Sequence, residues 1–231
     1  AWLQLRKCRD KVVIATKVAG RGTNLSYIRN GINRLSRGNI VQAVEESLRR
    51  LKTDYIDLYQ LHWPDRQTNI FGVLNFSAHD SSDDTPLLET LTVMSHLIAQ
   101  GKIRAFGICN ETPWGAMEFV RLAEREHLPR PVAIQNPYNL LNRTFEIGLA
   151  EISHREHLGL IAYSPLGFGM LTGKYMGGWP EKSRLALFKH FKRYTSDAAR
   201  AATERYAAIA QKYQLSLTQL ALTFAVSRPF I

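Results

Sequence analysis

The sequence has little cysteine, no long hydrophobic run and no glycine fingerprint, and each shortage argues against a class of protein. Its two cysteines, Cys8 and Cys109, lie far apart without metal-like spacing, which speaks against a disulfide framework or a cysteine-built zinc site and fits a reducing cytoplasm. No apolar run approaches the roughly 20 residues of a membrane helix. The start, AWLQLRKCRD, has neither a signal-peptide layout nor an initiator Met, and the chain ends on apolar Phe230 and Ile231, so a piece of a longer chain is expected. The P-loop pattern fails because Gly167 to Gly173 is too long and Tyr175 replaces Ser or Thr. The dinucleotide pattern GxGxxG fails where Thr172 stands in place of the third glycine.

Acidic residues are the minority, 20 against 30 Lys plus Arg, for a formal net charge of +10. Such a balance can attract nucleic acid, an anionic membrane or phosphate groups. The basic residues are scattered, as in Arg49, Arg50, Lys52 and Lys189, Lys192, Arg193. A solvated basic surface is therefore expected, with no nucleic-acid or membrane partner. At 231 residues and 45% hydrophobic, the chain can bury a substantial core as one domain.

The stretch TDYIDLYQLHWPD, residues 53–65, organises the rest. Aromatic and branched residues from Tyr55 to Leu61 describe a buried strand that stops before Pro64. Alternation puts His62, Gln60, Leu58 and Ile56 on one face, with Asp57, Tyr59 and Leu61 on the other. The strand thus delivers an imidazole to its C-terminal tip. A lone histidine there is more often a hydrogen-bonded loop residue than a catalyst, and repetition of the arrangement is what shifts the reading.

The arrangement does repeat. KVVIATKV predicts a strand over about 12–16 with Lys17 at its end, and IRAFGIC one that leads to Asn110. PVAIQ ends at Gln135, and LGLIAYS at Tyr163 and Ser164. Amphipathic helices follow: Val41, Val44, Leu48 and Leu51 mark one over 39–51, and Leu87, Leu91, Met94 and Ile98 another. Thr112 with Pro113 starts a third by N-cap and first-turn proline. Phe145, Leu149 and Ile152 mark a fourth; Ala202, Tyr206, Ile209 and Tyr213 form the expected face of the next, and Leu217, Leu220, Ala221 and Phe224 that of the last. The polar stretch 65–86 is too long for a simple connection, which suggests a functional or mobile loop. Strands alternating with helices mean a parallel sheet covered by helices. Polar residues at many strand tips favour a closed (β/α)₈ barrel over an open doubly wound sheet. About five of its eight units are present.

With these tips in place, the chain resembles the aldo-keto reductase family, most closely its bacterial Tas-like branch. The resemblance rests on VVIATKV, DYIDLYQLHWPD, GKIRAFGICNET, AIQNPYNLLNR and AYSPLGFGMLTGKY, in that order. It implies a partial barrel over residues 1–231 that lacks the first two strands and the last. It implies reduction of a small carbonyl substrate by NADPH, with Lys17 as the catalytic lysine and His62 as the histidine that orients the carbonyl. Asn110 and Gln135 are then the amides that meet the nicotinamide carboxamide, and Tyr163 the ring beneath the nicotinamide. Ser164, Leu166, Gly169 and Lys174 form the pyrophosphate segment, and Arg184 is a further anionic contact. The resemblance also places the family's tetrad aspartate and tyrosine upstream of Lys17, where residues 1–16 supply neither. Cys109 stands where the family usually has serine, a stronger hydrogen-bond donor. Loop aromatics Trp63 and Trp114, with Trp179, are candidate walls of a substrate pocket, with core packing the alternative for Trp114. His154 and His157, near Glu151 and Glu156, imply no third metal ligand and fit a solvated helix end. The alternative to an enzyme is a nicotinamide-nucleotide-binding regulatory subunit with little turnover.

Overall fold

The computed structural model describes residues 2–22 and 25–231, which divide into two compact units, 1–134 and 135–231. Helices in the first unit are α1 (Trp2–Arg6), α2 (Arg37–Leu51), α3 (Leu87–Ala99) and α4 (Pro113–Arg125); its strands are β1 (Ala15–Val18), β2 (Ile56–Leu61) and β3 (Ile103–Cys109). Strand β4 (Ala133–Gln135) spans the division in sequence. The second unit holds α5 (Leu149–Arg155), β5 (Gly159–Leu160), α6 (Arg184–Leu187), α7 (Asp197–Lys212) and α8 (Leu217–Val226). Sheet order is β1-β2-β3-β4-β5, the chain order.

Pairing of β1 with β2 and of β2 with β3 is parallel, which aligns Lys17 with Gln60 and Gln60 with Gly107. Partners in register share a face. One face of the first unit's sheet therefore carries Ile56, Leu58 and Ile103 towards its foot and, with Ala15 and Ala105, the small or polar Lys17, Gln60 and Gly107 towards its head. The other carries Val18, Tyr59, Leu61, Phe106 and Ile108, all buried. Helices α2, α3 and α4 bury Ile40, Val44, Leu91, Met94, Leu97, Phe119 and Val120. Gln60 is itself buried, and its amide nitrogen has no hydrogen-bond partner. A polar group held inside the sheet in this way belongs to a layer that packing alone does not explain.

Strand β1 runs over Ala15–Val18 rather than 12–16. The reason is a side chain. The Ile14 amide donates to the Asp57 carboxylate (2.9 Å) instead of a ladder carbonyl, so regular pairing begins one residue later. Asp57 also meets Arg9 (2.7 Å) and Arg104 (2.9 Å), and both guanidiniums cover the Tyr55 ring at 3.7 and 4.2 Å. Thr112 caps α4 as its sequence predicts, its hydroxyl accepting from the Gly115 amide at 3.3 Å.

In the second unit, Met170, Tyr175, Leu185 and Tyr194 form one core cluster, and Leu171, Leu217 and Ala221 another. Strand β5 is only two residues long, against the expected 158–164, and Tyr163 meets Pro137 in an isolated bridge. Its Leu160 amide donates to the Phe230 carbonyl (2.7 Å), so the segment is tied partly outside the sheet. The buried face of α7 also differs. Thr203 and Ala210 are buried, whereas Ile209 and Tyr213 are exposed. The small residues of that face allow close approach, which outweighs side-chain hydrophobicity as the guide to what is inside. Both closing helices carry serine caps, Ser196 on α7 and a Ser216–Gln219 capping box on α8.

Candidate active site

Three strand ends in the first unit carry candidate site residues. Lys17 lies near the end of β1, and His62 follows β2 with its amide still bonded to the Val18 carbonyl (2.9 Å). Asn110 follows β3 in a left-handed conformation (φ 52°) and donates from Nδ2 to the His62 carbonyl at 2.8 Å. Asparagine accepts that conformation more readily than most residues. The bond locks two adjacent tips together. Lys17 and His62 then line one cleft of about 550 Å³ in the first unit, with Tyr27, Arg29, Glu46 and Arg50 among its other walls.

Burial, reinforced by the Lys17 cation, lowers the His62 pKa to about 4. Both causes disfavour imidazolium. At neutral pH the ring is therefore uncharged and has one N–H to donate and one nitrogen to accept. Proton NMR titration of His62 should show it neutral down to about pH 5, and Lys17→Met should raise its pKa only part of the way toward 6.5, because burial is the larger cause. A midpoint near 6.5 in the unaltered protein would contradict this site geometry.

In the second unit the candidate residues lie on a continuous segment. Tyr163 donates its amide to the Asn136 carbonyl (3.1 Å), and Ser164 takes a positive φ of 55°. Turn bonds join Gly167 to Ser164 and Gly169 to Leu166, both at 2.9 Å. A Cβ on Gly169, whose φ is 99°, would lie about 2.9 Å from Lys174 Cε. Only glycine lets the lysine stem lie across that turn. Arg184, at the start of α6, has its guanidinium 4.7 Å from the ring centres of both Phe168 and Phe191, which pack on each other at 5.2 Å. Leu166 packs with the Leu171, Leu217 and Ala221 cluster. Gln135 stands at the end of β4.

The aldo/keto reductase family model matches residues 1–231. The chain belongs to the aldo/keto reductase family. It is 46% identical to "Protein tas" of Escherichia coli K12 over 231 residues, which is all of this chain and 67% of that protein. It is 43% identical to an "Aldo-keto reductase" of Babesia bovis over 236 residues, covering 96% of this chain and 83% of the relative. Identity to the "L-glyceraldehyde 3-phosphate reductase" of E. coli O157:H7 is 31% over 179 residues, 77% of this chain and 45% of that protein. The chemistry of this family is oxidoreduction of carbonyl groups, and its fold is a (β/α)₈ barrel. The parallel, unclosed five-stranded sheet is that of an incomplete barrel.

Around the aldo/keto reductase tips stand residues that the sequence pattern did not single out. Arg66 and Glu111 form an ion pair at 2.5 Å, with Glu111 only 3% exposed, and Arg66 also reaches the Thr112 hydroxyl at 3.0 Å. A Cβ on Gly115 would fall about 2.3 Å from Glu111 Oε1 and 2.4 Å from Arg66 Nη2, so the pair occupies the space of a missing side chain. Asp65, 4% exposed, accepts from Arg34 at 3.0 Å and from the Thr85 amide at 3.3 Å. The available signal was opposite charge directly beyond neighbouring tips, Asp65–Arg66 after His62 and Glu111 after Asn110.

Trp114 is 60% exposed and lies under the Arg66 guanidinium (4.9 Å), which rules out core packing. Trp63 sits 4.6 Å from the His62 ring and 5.8 Å from Phe71, with its indole N–H on the Arg21 carbonyl at 2.8 Å. Trp179 is part of a separate second-unit cleft with Phe191 and Arg200. Among the described residues, no group of three or more His, Cys, Asp or Glu is placed to hold a metal, and no helix is long and apolar enough to cross a membrane.

Proposed function

We propose that the protein reduces aldehydes or ketones to alcohols with NADPH, and that Lys17 and His62 are its catalytic residues in this chain. The observation that carries the proposal is the pair itself: a cation and a neutral imidazole on adjacent parallel strand tips, facing one cleft. Neutral His62 donates a hydrogen bond to the carbonyl oxygen and orients it. Lys17 supplies positive charge beside the proton donor, favouring release of its proton to that oxygen.

Second-unit residues fit the cofactor. The Gly169 turn gives close backbone approach, Lys174 lies across it, and Arg184 is held by two aromatic faces rather than a carboxylate among the described residues. Ser164 and Leu166, which accept the turn's amide bonds, shape the same pyrophosphate segment. NADPH, when bound, supplies the hydride. Asn110 and Gln135 hold the nicotinamide carboxamide, Tyr163 stacks beneath the ring, and Trp63 and Trp114 wall the substrate.

Ahead of Lys17 stand one aspartate, Asp10, and no tyrosine. The proton-donating tyrosine and its aspartate are therefore proposed to lie in the longer protein. Residues 1–231 then form a partial barrel domain without turnover of its own. Cysteines only at Cys8 and Cys109, with Cys109 buried, suit the cytoplasm, where we place the protein. In the natural full-length protein, NADPH absorbance should fall when a panel of aldehydes is added. Tight NADPH binding with no oxidation by any carbonyl would instead identify a nucleotide-binding regulatory subunit, and preference for NADH would overturn the choice of cofactor. Wild-type turnover by residues 1–231 alone would refute the assignment of an external proton donor.

A further inference from the structure

The ring of Tyr163 is held from its hydroxyl end by a residue that no sequence motif marks. Arg193 Nη1 donates to Tyr163 Oη at 3.3 Å, and its guanidinium lies 5.9 Å from the Phe168 ring centre. The Arg193 Nε is buried and has no hydrogen-bond partner. A buried guanidinium donor without an acceptor is costly, so its placement calls for a purpose other than stability.

The neighbouring residue explains how the guanidinium is fixed. Tyr194 is 1% exposed and packs edge-on to Phe168 at 5.0 Å within the cluster of Met170, Tyr175 and Leu185. Its hydroxyl accepts from Asn139 Nδ2 at 3.2 Å, and that same nitrogen donates to the Ser164 carbonyl at 2.9 Å. Asn139 is fully buried. Residues 193 and 194 thus grip residues 163 and 164 at matching points: arginine to phenol, and tyrosine through asparagine to backbone. The grip sets both the position of the segment that follows β5 and the tilt of the Tyr163 ring.

We propose that Arg193 is a positioning residue that fixes the plane of Tyr163 and through it the nicotinamide. The inference rests on the stacking role proposed for Tyr163 above. Arg193 makes its hydrogen bond to the phenol, so its effect falls first on ligands that carry a nicotinamide ring. A residue that merely holds the fold together would affect every ligand of the cofactor site and the melting temperature too.

The test compares Arg193→Met, Arg193→Lys, Tyr163→Phe and the double variant Arg193→Met/Tyr163→Phe in the full-length protein. Binding of NADPH and of 2′-phospho-ADP-ribose, which lacks the nicotinamide, is measured by fluorescence and calorimetry. Losing a charge-assisted hydrogen bond of this length should weaken NADPH binding about 10-fold in Arg193→Met. Affinity for 2′-phospho-ADP-ribose should stay unchanged, Arg193→Lys should recover part of the loss, and Tyr163→Phe should match it. The double variant should be no worse than either single one. Equal weakening of both ligands, or additive losses in the double variant, would overturn the positioning role and leave the reductase proposal standing. If the unaltered protein fails to bind NADPH, both fall. Should Arg193→Met not fold, Tyr163→Phe with Arg193→Lys gives the same comparison.

Discussion

Arg66→Met is expected to destabilise the first unit by about 3–5 kcal/mol at neutral pH, because it removes the guanidinium from a carboxyl in a dry site. Glu111 is 3% exposed, and burial pushes its pKa up while Arg66 and the Thr112 amide pull it down. Without Arg66 the balance tips further toward the protonated form. A carboxyl whose folded pKa exceeds its unfolded value binds more protons when folded, so stability rises as pH falls through that folded pKa toward about 4.5. Urea unfolding should therefore show Arg66→Met recovering part of its loss on acidification. The double variant Arg66→Met/Glu111→Gln should recover most of it at neutral pH, since no charge is left to desolvate. A single-variant loss below about 1 kcal/mol would mean that the pair is solvated, like a surface bridge.

Asp57→Ala is expected to cost about 2–4 kcal/mol, since it orphans the Ile14 amide and removes the shared acceptor of two guanidiniums. Burial alone would raise the Asp57 pKa, but the Ile14 amide, Arg9 and Arg104 outweigh it and the net direction is down. The sign of the pH dependence is then opposite to that of Glu111. Stability from a depressed carboxyl is fully present above the unfolded value near about 3.9 and is lost as pH falls through the folded one. The gap between unaltered protein and Asp57→Ala should thus be wide at pH 7 and close in strong acid. Asp57→Asn keeps the shape and should fall between the two.

Much of the first unit was legible because its strands and helices obey their own periods. IRAFGIC is β3 residue for residue, and the alternation in β2 put His62 and Gln60 on the face that also holds Lys17. The Thr112 cap and first-turn Pro113 start α4 where they should. Local chemistry of this kind needs no partner to be read. The misplacements arose where a distant side chain decided the outcome. Asp57 delays the start of β1 from across the sheet, and within β5 the Leu160 amide goes to Phe230, near the far end of the chain. On α7, the inner face is made of Thr203 and Ala210, whose small size is visible in sequence but whose close contacts are not.

The site divides in the same way. Lys17, His62, Asn110 and Gln135 stand at or next to the ends of recognisable strands, whereas Tyr163 lies three residues past β5 and Arg193 in the segment between α6 and α7, thirty residues beyond the phenol it holds. Arg66 and Glu111 were missed because charged residues beyond strand ends are usually solvated, and only their burial separates these two from that background.

Asp57 and His62 sit near opposite ends of one short strand, roughly 16 Å apart at about 3.3 Å per residue. Below lies the carboxylate gripped by Arg9 and Arg104; above lies the imidazole with Lys17. Random mutagenesis for heat tolerance and selection for new aldehydes would therefore draw on separate ends of the first unit's sheet. Gains made at the foot of β2 can be combined with altered preferences at its head.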